Sequence, residues 1–218
     1  MPVTGRLALL LCAVFACGSD GAATHGERSG GGDVDIASHS GVALQGDALA
    51  ARADSLVRAG RPWRATVLLA PSLKSPAAAR PELRLAGARA AAGWDGWSEV
   101  ERVLRGADWL DRQFAGEGRE LLVRSALERD SDALPDARLA LADATTDASR
   151  AVREVLLARA YDRARQRDSA AVHYAAVAAR LPAARNWLLL RAAGVTGESG
   201  ARAALLGRVG TEVARARV

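Results

Sequence analysis

Five tryptophans, Trp63, Trp94, Trp97, Trp109 and Trp187, supply most of the aromatic content of this chain, which is only 4%. Trp94 and Trp97 bracket Asp95-Gly96, with arginines and aspartates close by. Aromatic rings beside such groups are how proteins hold sugars and other ring-shaped ligands. Trp94, Trp97 and Trp109 are therefore a possible ligand face. The competing assignment is structural, with the large rings wedging the junctions of an alanine-rich helical stack. Paired carboxylates are the other chemical possibility. Asp108 and Asp111 flank Trp109-Leu110, and Glu99 and Glu101 fall on opposite sides of a helix, but neither pair has the apolar setting that acid catalysis requires. Asp130-x-Asp132 begins like a calcium loop, yet Pro135 stands where glycine is required and Leu141 where the bidentate glutamate should be. Gly30-Gly31-Gly32 lacks the strand, helix and lysine of a phosphate loop, and no Gly-x-Ser-x-Gly elbow occurs. His25, His39 and His173 are too scattered for a metal cluster, and both cysteines, Cys12 and Cys17, lie at the very start. The expectation is a chain without catalytic residue, metal or cofactor.

Whatever positions these groups is built from Ala, Leu and Val, because half of the 218 residues are apolar and few are aromatic. That balance favours close-packed helices over a sheet sandwich. The formal charge is +5, and with Lys74 as the only lysine the other 29 basic residues are arginines. Acidic and basic residues alternate without blocks, as on a solvated helical surface, so a nucleic-acid partner is not expected.

The chain opens with Arg6 and the apolar run Leu7 to Phe15, then Ala16, Cys17 and Gly18. The run is about half of the ~20 residues needed to span a bilayer, and its order is that of an export signal. Val14-Phe15-Ala16-Cys17 resembles the lipobox of bacterial lipoproteins. That resemblance implies a signal peptide over 1–16, lipidation of Cys17 and a membrane anchor there. Gly18, in place of the aspartate that retains some lipoproteins in the inner membrane, implies a periplasmic location on the outer membrane. Residues 17–46 hold Gly18, Gly21, Gly26, Gly30, Gly31, Gly32, Gly41 and Gly46 among polar residues, the composition of a flexible linker.

Residues 47–218 form the folding body, all-α in pattern, punctuated by Gly, Pro and Asp every dozen or so residues. Its clearest stretch runs from Ala151 to Pro182. Leu157, Ala158 and Tyr161 share one helical face; a polar turn follows, with Asp168 predicted as N-cap; Ala170, Tyr174, Val177 and Leu181 form the next stripe; Pro182 is predicted to end it. Leu157, Ala158, Tyr161, Ala170, Tyr174 and Pro182 stand at the spacing of the tetratricopeptide repeat, which this stretch resembles. Ala53, Leu56, Ala65 and Leu69 repeat the inner positions, and weaker copies start near Leu85, Arg119 and Asn186. At roughly 34 residues per repeat the body holds about five helical hairpins, stacked as a solenoid. The last predicted helix carries Ala203-Ala204-Leu205-Leu206, Val209 and Val213 as an apolar stripe, so it is expected to fold back or to be followed by a further repeat.

The Asp168-Ser169-Ala170-Ala171 helix start, Tyr174, and Leu181-Pro182 leading into Asn186-Trp187-Leu188-Leu189-Leu190-Arg191-Ala192-Ala193 resemble the N-terminal superhelical region of bacterial soluble lytic transglycosylases. The resemblance implies a solenoid that precedes a lysozyme-like domain and handles peptidoglycan glycan strands. Glu198-Ser199 matches that family's catalytic pair, but no Gly-Leu-Met-Gln follows and only nineteen residues remain. The pair is a decoy, and the expected role is non-catalytic. A stand-alone periplasmic adaptor for a partner protein or peptide is the other expectation.

Overall fold

The structure, a computed structural model, describes residues 46–210. The signal peptide, Cys17 and nearly all of the linker lie outside these residues, as do His25, His39 and Val213.

Among the described residues there are ten α-helices and no strand. They follow as α1 (Gly46–Arg58) and α2 (Pro62–Leu69), α3 (Pro81–Ala92) and α4 (Trp97–Leu104), α5 (Glu117–Glu128) and α6 (Leu134–Ala142), α7 (Asp147–Arg163) and α8 (Arg167–Val177), then α9 (Arg185–Val195) and α10 (Ser199–Gly207). Local sequence sets the starts. Pro62 and Pro81 sit at first helical positions, where the missing N–H costs nothing. Thr146 and Ser149 close a reciprocal capping box on α7.

Each helix packs on the next in sequence, and α1 packs on α3, α3 on α5 and α5 on α7. The odd-numbered helices α1 to α7 thus form a continuous row. Four buried clusters succeed one another, and each of α3, α5 and α7 contributes to two of them. Small residues make this possible. Ala53, Ala88, Val123 and Ala158, 35 residues apart in turn, are each fully buried where the odd-numbered helices meet their neighbours. Gly87 is a further case: a Cβ there would lie 2.4 Å from Leu73 Cδ1, so the Leu73 side chain, in the segment after α2, holds its place against α3 because position 87 has no side chain.

The repeat positions read from the sequence fall largely inside. Leu157, Ala158, Ala170 and Tyr174 are buried, Tyr161 packs partly exposed against the same clusters, and Ala53, Ala65 and Leu69 are fully buried in the first hairpin. Two local expectations are corrected. Helix α8 ends at Val177, ahead of Pro182, which instead opens a short 3-10 turn over Pro182–Ala184. Asp168 lies within the first turn of α8, whose N-cap is Gln166 and makes no side-chain cap bond. A proline can end a helix well before its own position, because the turn that contains it needs extended backbone ahead of it; Leu181 has φ −119° and ψ 77°.

Candidate functional site at the hairpin turns

Every helical hairpin has two ends, and they are held by different chemistry. At the end where one hairpin connects to the next, buried arginines act as clamps. Arg84 of α3 donates from Nε to the Val103 carbonyl at 2.7 Å, at the close of α4. Burial lowers its pKa, against the opposing pull of Asp108. Arg119 of α5 bonds Asp111 in the segment before it and Asp136 of α6 at 2.7 Å. Arg153 of α7, 2% exposed, donates to the Ala140 carbonyl at 3.1 Å and to the Ala115 carbonyl. The second of these bonds pins a left-handed stretch, Phe114, Ala115 and Gly116, with φ of 51°, 50° and 74°. Glycine is needed at 116, because a Cβ there would press on the Arg153 guanidinium at 3.2 Å as well as strain the backbone.

The opposite end carries the turns within each hairpin, and these are held by the backbone. Gly60, Asp95, Asp130 and Arg165 have φ of 69°, 62°, 57° and 59° and are spaced by 35 residues. In each turn the N–H after the left-handed residue bonds a carbonyl five residues back at 2.9 Å: Arg61 to Leu56, Gly96 to Ala91, Ser131 to Ala126, Gln166 to Tyr161. This is a Schellman closure, which satisfies otherwise orphaned helix carbonyls. The connection from α9 to α10 has no left-handed residue.

With geometry supplied by the main chain, side chains at this end differ freely from turn to turn. Across the first two turns, Trp94 meets Trp63 edge to face, with centroids 5.1 Å apart, and its Nε1 donates to Thr66 Oγ1 at 2.9 Å. Trp63 is 59% exposed and Trp94 37%. The three tryptophans singled out in the sequence do not form one face. Trp109 is 5% exposed, packed edge to face on Phe114 with Arg84 over its ring, and Trp97 is half-buried against the same cluster. Trp109 has a structural place at a hairpin junction. So do Tyr174 and Trp187, which meet edge to face between α8 and α9.

Across the third and fourth turns lies an open depression of about 820 Å³. Five arginines line it, Arg159, Arg163, Arg165, Arg167 and Arg191, together with Asp130, Asp132 and Asp162. Arg163 pairs with Asp130, Arg191 with Asp162 at 3.0 Å and Arg159 with Glu128 at 2.9 Å. Asp132 Oδ1 accepts the Leu134 N–H at 3.0 Å, at the start of α6. Among the described residues no carboxylate pairs with Arg165 or Arg167.

Three of the four carboxylates considered as acids are committed elsewhere. Glu99 is gripped through two bonds by Arg102, Glu101 pairs with Arg105 and Arg129, and Asp111 with Arg119. His173 stacks on Tyr161, 5.3 Å between centroids, with Nδ1 3.4 Å from Glu154. The Tyr174 hydroxyl is buried with no well-formed hydrogen bond, and burial raises its pKa, against the opposing charge and loose contact of the Arg191 guanidinium. Among the described residues no group of His, Cys, Asp and Glu is placed to hold a metal ion, and no helix is long and apolar enough to cross a membrane.

Compared with known proteins, the chain matches no family model, no curated protein and no solved structure. Sequence reasoning missed the buried arginines, the Trp63–Trp94 pair and the arginine-lined depression. The left-handed residues at 35-residue spacing were the one available signal. They were hidden because glycine, aspartate and arginine share that position.

Proposed function

We propose that this chain is a non-catalytic helical-repeat module of a cell-envelope lipoprotein, its five hairpins forming a tetratricopeptide-like solenoid anchored at Cys17. The observation that carries the reading is the recurrence of one closed turn, bond for bond, at 35-residue spacing while the side chains around it change. That is the economy of a binding scaffold: a uniform frame that presents variable groups along one edge. The commitment of Glu99, Glu101 and Asp111 to arginines supports a role without chemistry of its own. By its resemblance to lytic transglycosylases, the module is the N-terminal superhelical part of a peptidoglycan-processing protein and lies along a glycan strand in the periplasm.

The arginine-lined depression favours a second reading, a stand-alone adaptor on the outer membrane that binds a partner protein or peptide. Two measurements on protein recovered from the producing cell's membranes separate these. Incubated with purified sacculi, this chain is expected to pellet with them and to release no anhydro-muropeptides; release would overturn the non-catalytic assignment. An intact mass equal to residues 17–218 plus acyl chains fits the adaptor. A mass several-fold larger fits the front part of a peptidoglycan-cleaving protein.

A further inference from the structure

Arg165 breaks a local rule that its three counterparts obey. Glycine adopts the left-handed conformation without penalty and aspartate tolerates it, whereas a long side chain with an ordinary Cβ does not. Position 165 holds arginine at φ 59° all the same. A residue kept where backbone strain opposes it points to a use for its side chain. That side chain lines the arginine-rich depression.

The charges in the depression do not cancel. Its three aspartates are already engaged, two by arginines and one by a backbone N–H, and Arg159 is engaged by Glu128. Arg165 and Arg167 are left facing solvent, both exposed, two residues apart at the head of α8. Guanidinium groups are planar forks that fit carboxylates through paired N–H···O bonds. The aspartates decide which anion fits. They repel any anion, but their spare oxygens can accept N–H groups, which a peptide supplies between its side-chain carboxylates and a run of phosphates does not. A volume of about 820 Å³ has room for several residues of such a segment.

We propose that the depression between the α5–α6 and α7–α8 turns binds a carboxylate-rich peptide segment of a partner protein, with Arg165 and Arg167 as its cationic contacts. This rests on the binding-module reading and adds the ligand class to it. The surface is a polar recognition groove, so affinity comes from paired charges and falls as salt rises.

The test uses the full chain and a fluorescein-labelled hexaglutamate peptide, followed by anisotropy at low and at physiological salt. Binding is expected, weakening with salt, and the double variant Arg165→Gly/Arg167→Gln is expected to lose about tenfold or more in affinity. The single variant Arg165→Gly is expected to bind more weakly while melting roughly 2–4 °C higher, because glycine relieves the left-handed position. That divergence excludes misfolding as the cause of lost affinity. Arg64→Gln, on α2 and exposed, is the control and should bind as the wild type does. Three results would each overturn the proposal: no hexaglutamate binding by the wild type, equal loss in Arg64→Gln, or tighter binding of a hexanucleotide than of hexaglutamate. A protein that pellets but ignores the peptide overturns the ligand assignment alone, whereas one that releases muropeptides overturns the module reading.

Discussion

Arg153 and Arg165 sit near opposite ends of the α7 hairpin and have opposite fates. Arg153 is buried at the connecting end, where it ties the Ala140 and Ala115 carbonyls together. Arg165 is exposed at the turn end, in a conformation poorly suited to it, with no ion pair among the described residues. The same contrast runs along the molecule. The connecting ends depend on particular side chains: Arg84 and Arg153 reach carbonyls in the last turns of α4 and α6, and Arg119 ties Asp111 to Asp136. The turn ends close through four equivalent backbone bonds and need no particular side chain. Where side chains hold the backbone, sequence is constrained by stability. Where the backbone holds itself, sequence is released for recognition.

The sharpest way to break this comparison is at Arg153. Replacing it in Arg153→Leu leaves the buried Ala140 carbonyl and the Ala115 carbonyl without their donor, and takes from Glu120, 3.6 Å from Nε, one of its two arginines, Arg124 remaining. A loss of about 2–4 kcal/mol is expected, measured by urea unfolding. A loss under about 1 kcal/mol would mean that the connecting end does not rely on its clamp. The next effect lies beside another connecting segment, the one after α2. Gly87→Val drives a side chain into Leu73 and should cost about 1–3 kcal/mol, partly recovered by adding Leu73→Ala. Failure of Leu73→Ala to recover any stability would refute that contact as the cause.

Between the two ends, Tyr174→Phe removes a buried hydroxyl that makes no well-formed hydrogen bond, so stability near pH 7 should hold or rise by about 1 kcal/mol. The pH dependence has a definite sign. The folded-state pKa of Tyr174 is raised, so its contribution is complete below the ordinary phenol value of about 10 and is lost as pH rises above it, when the unfolded chain ionises first. Melting from pH 8 to 11 should therefore show a steeper alkaline decline in the wild type than in Tyr174→Phe. Parallel curves would show that the hydroxyl is solvated. The smallest effect is expected at the turn end. Asp95→Gly should change stability by no more than about 0.5–1 kcal/mol, in the stabilising direction. A clear loss would show that the turn depends on its side chain after all.

The helical hairpins were legible in the sequence because their signals are local. Gly60, Pro62 and Pro81 punctuate the chain, and Ala158, Ala170 and Tyr174 keep a face. All-α architecture and the burial of these positions followed from that pattern. The site was far less legible. In a chain with 29 arginines, nothing in composition separates Arg153, which is buried, from Arg165, which is not. That distinction arises only when neighbouring hairpins stack. Trp63 and Trp94 likewise come together through the packing of α1 and α2 on α3, a relation absent from either stretch alone. Trp109 looked like part of a surface because it lies beside two aspartates, but Phe114 and Arg84 cover its ring.

The shared membership of α3, α5 and α7 in two clusters apiece has a dynamic consequence. Helices α2, α6 and α8 each line a single core and can swing out from it, whereas α3, α5 and α7 cannot leave without opening the cores on both of their sides. In native-state hydrogen exchange, amides of α3 and α7 should therefore report the rarest openings, and those of α2 and α10 the most frequent. Opening would spread from hairpin to hairpin through the odd-numbered row, so that occupation of one turn edge by a partner is felt as slower exchange in the neighbouring unit.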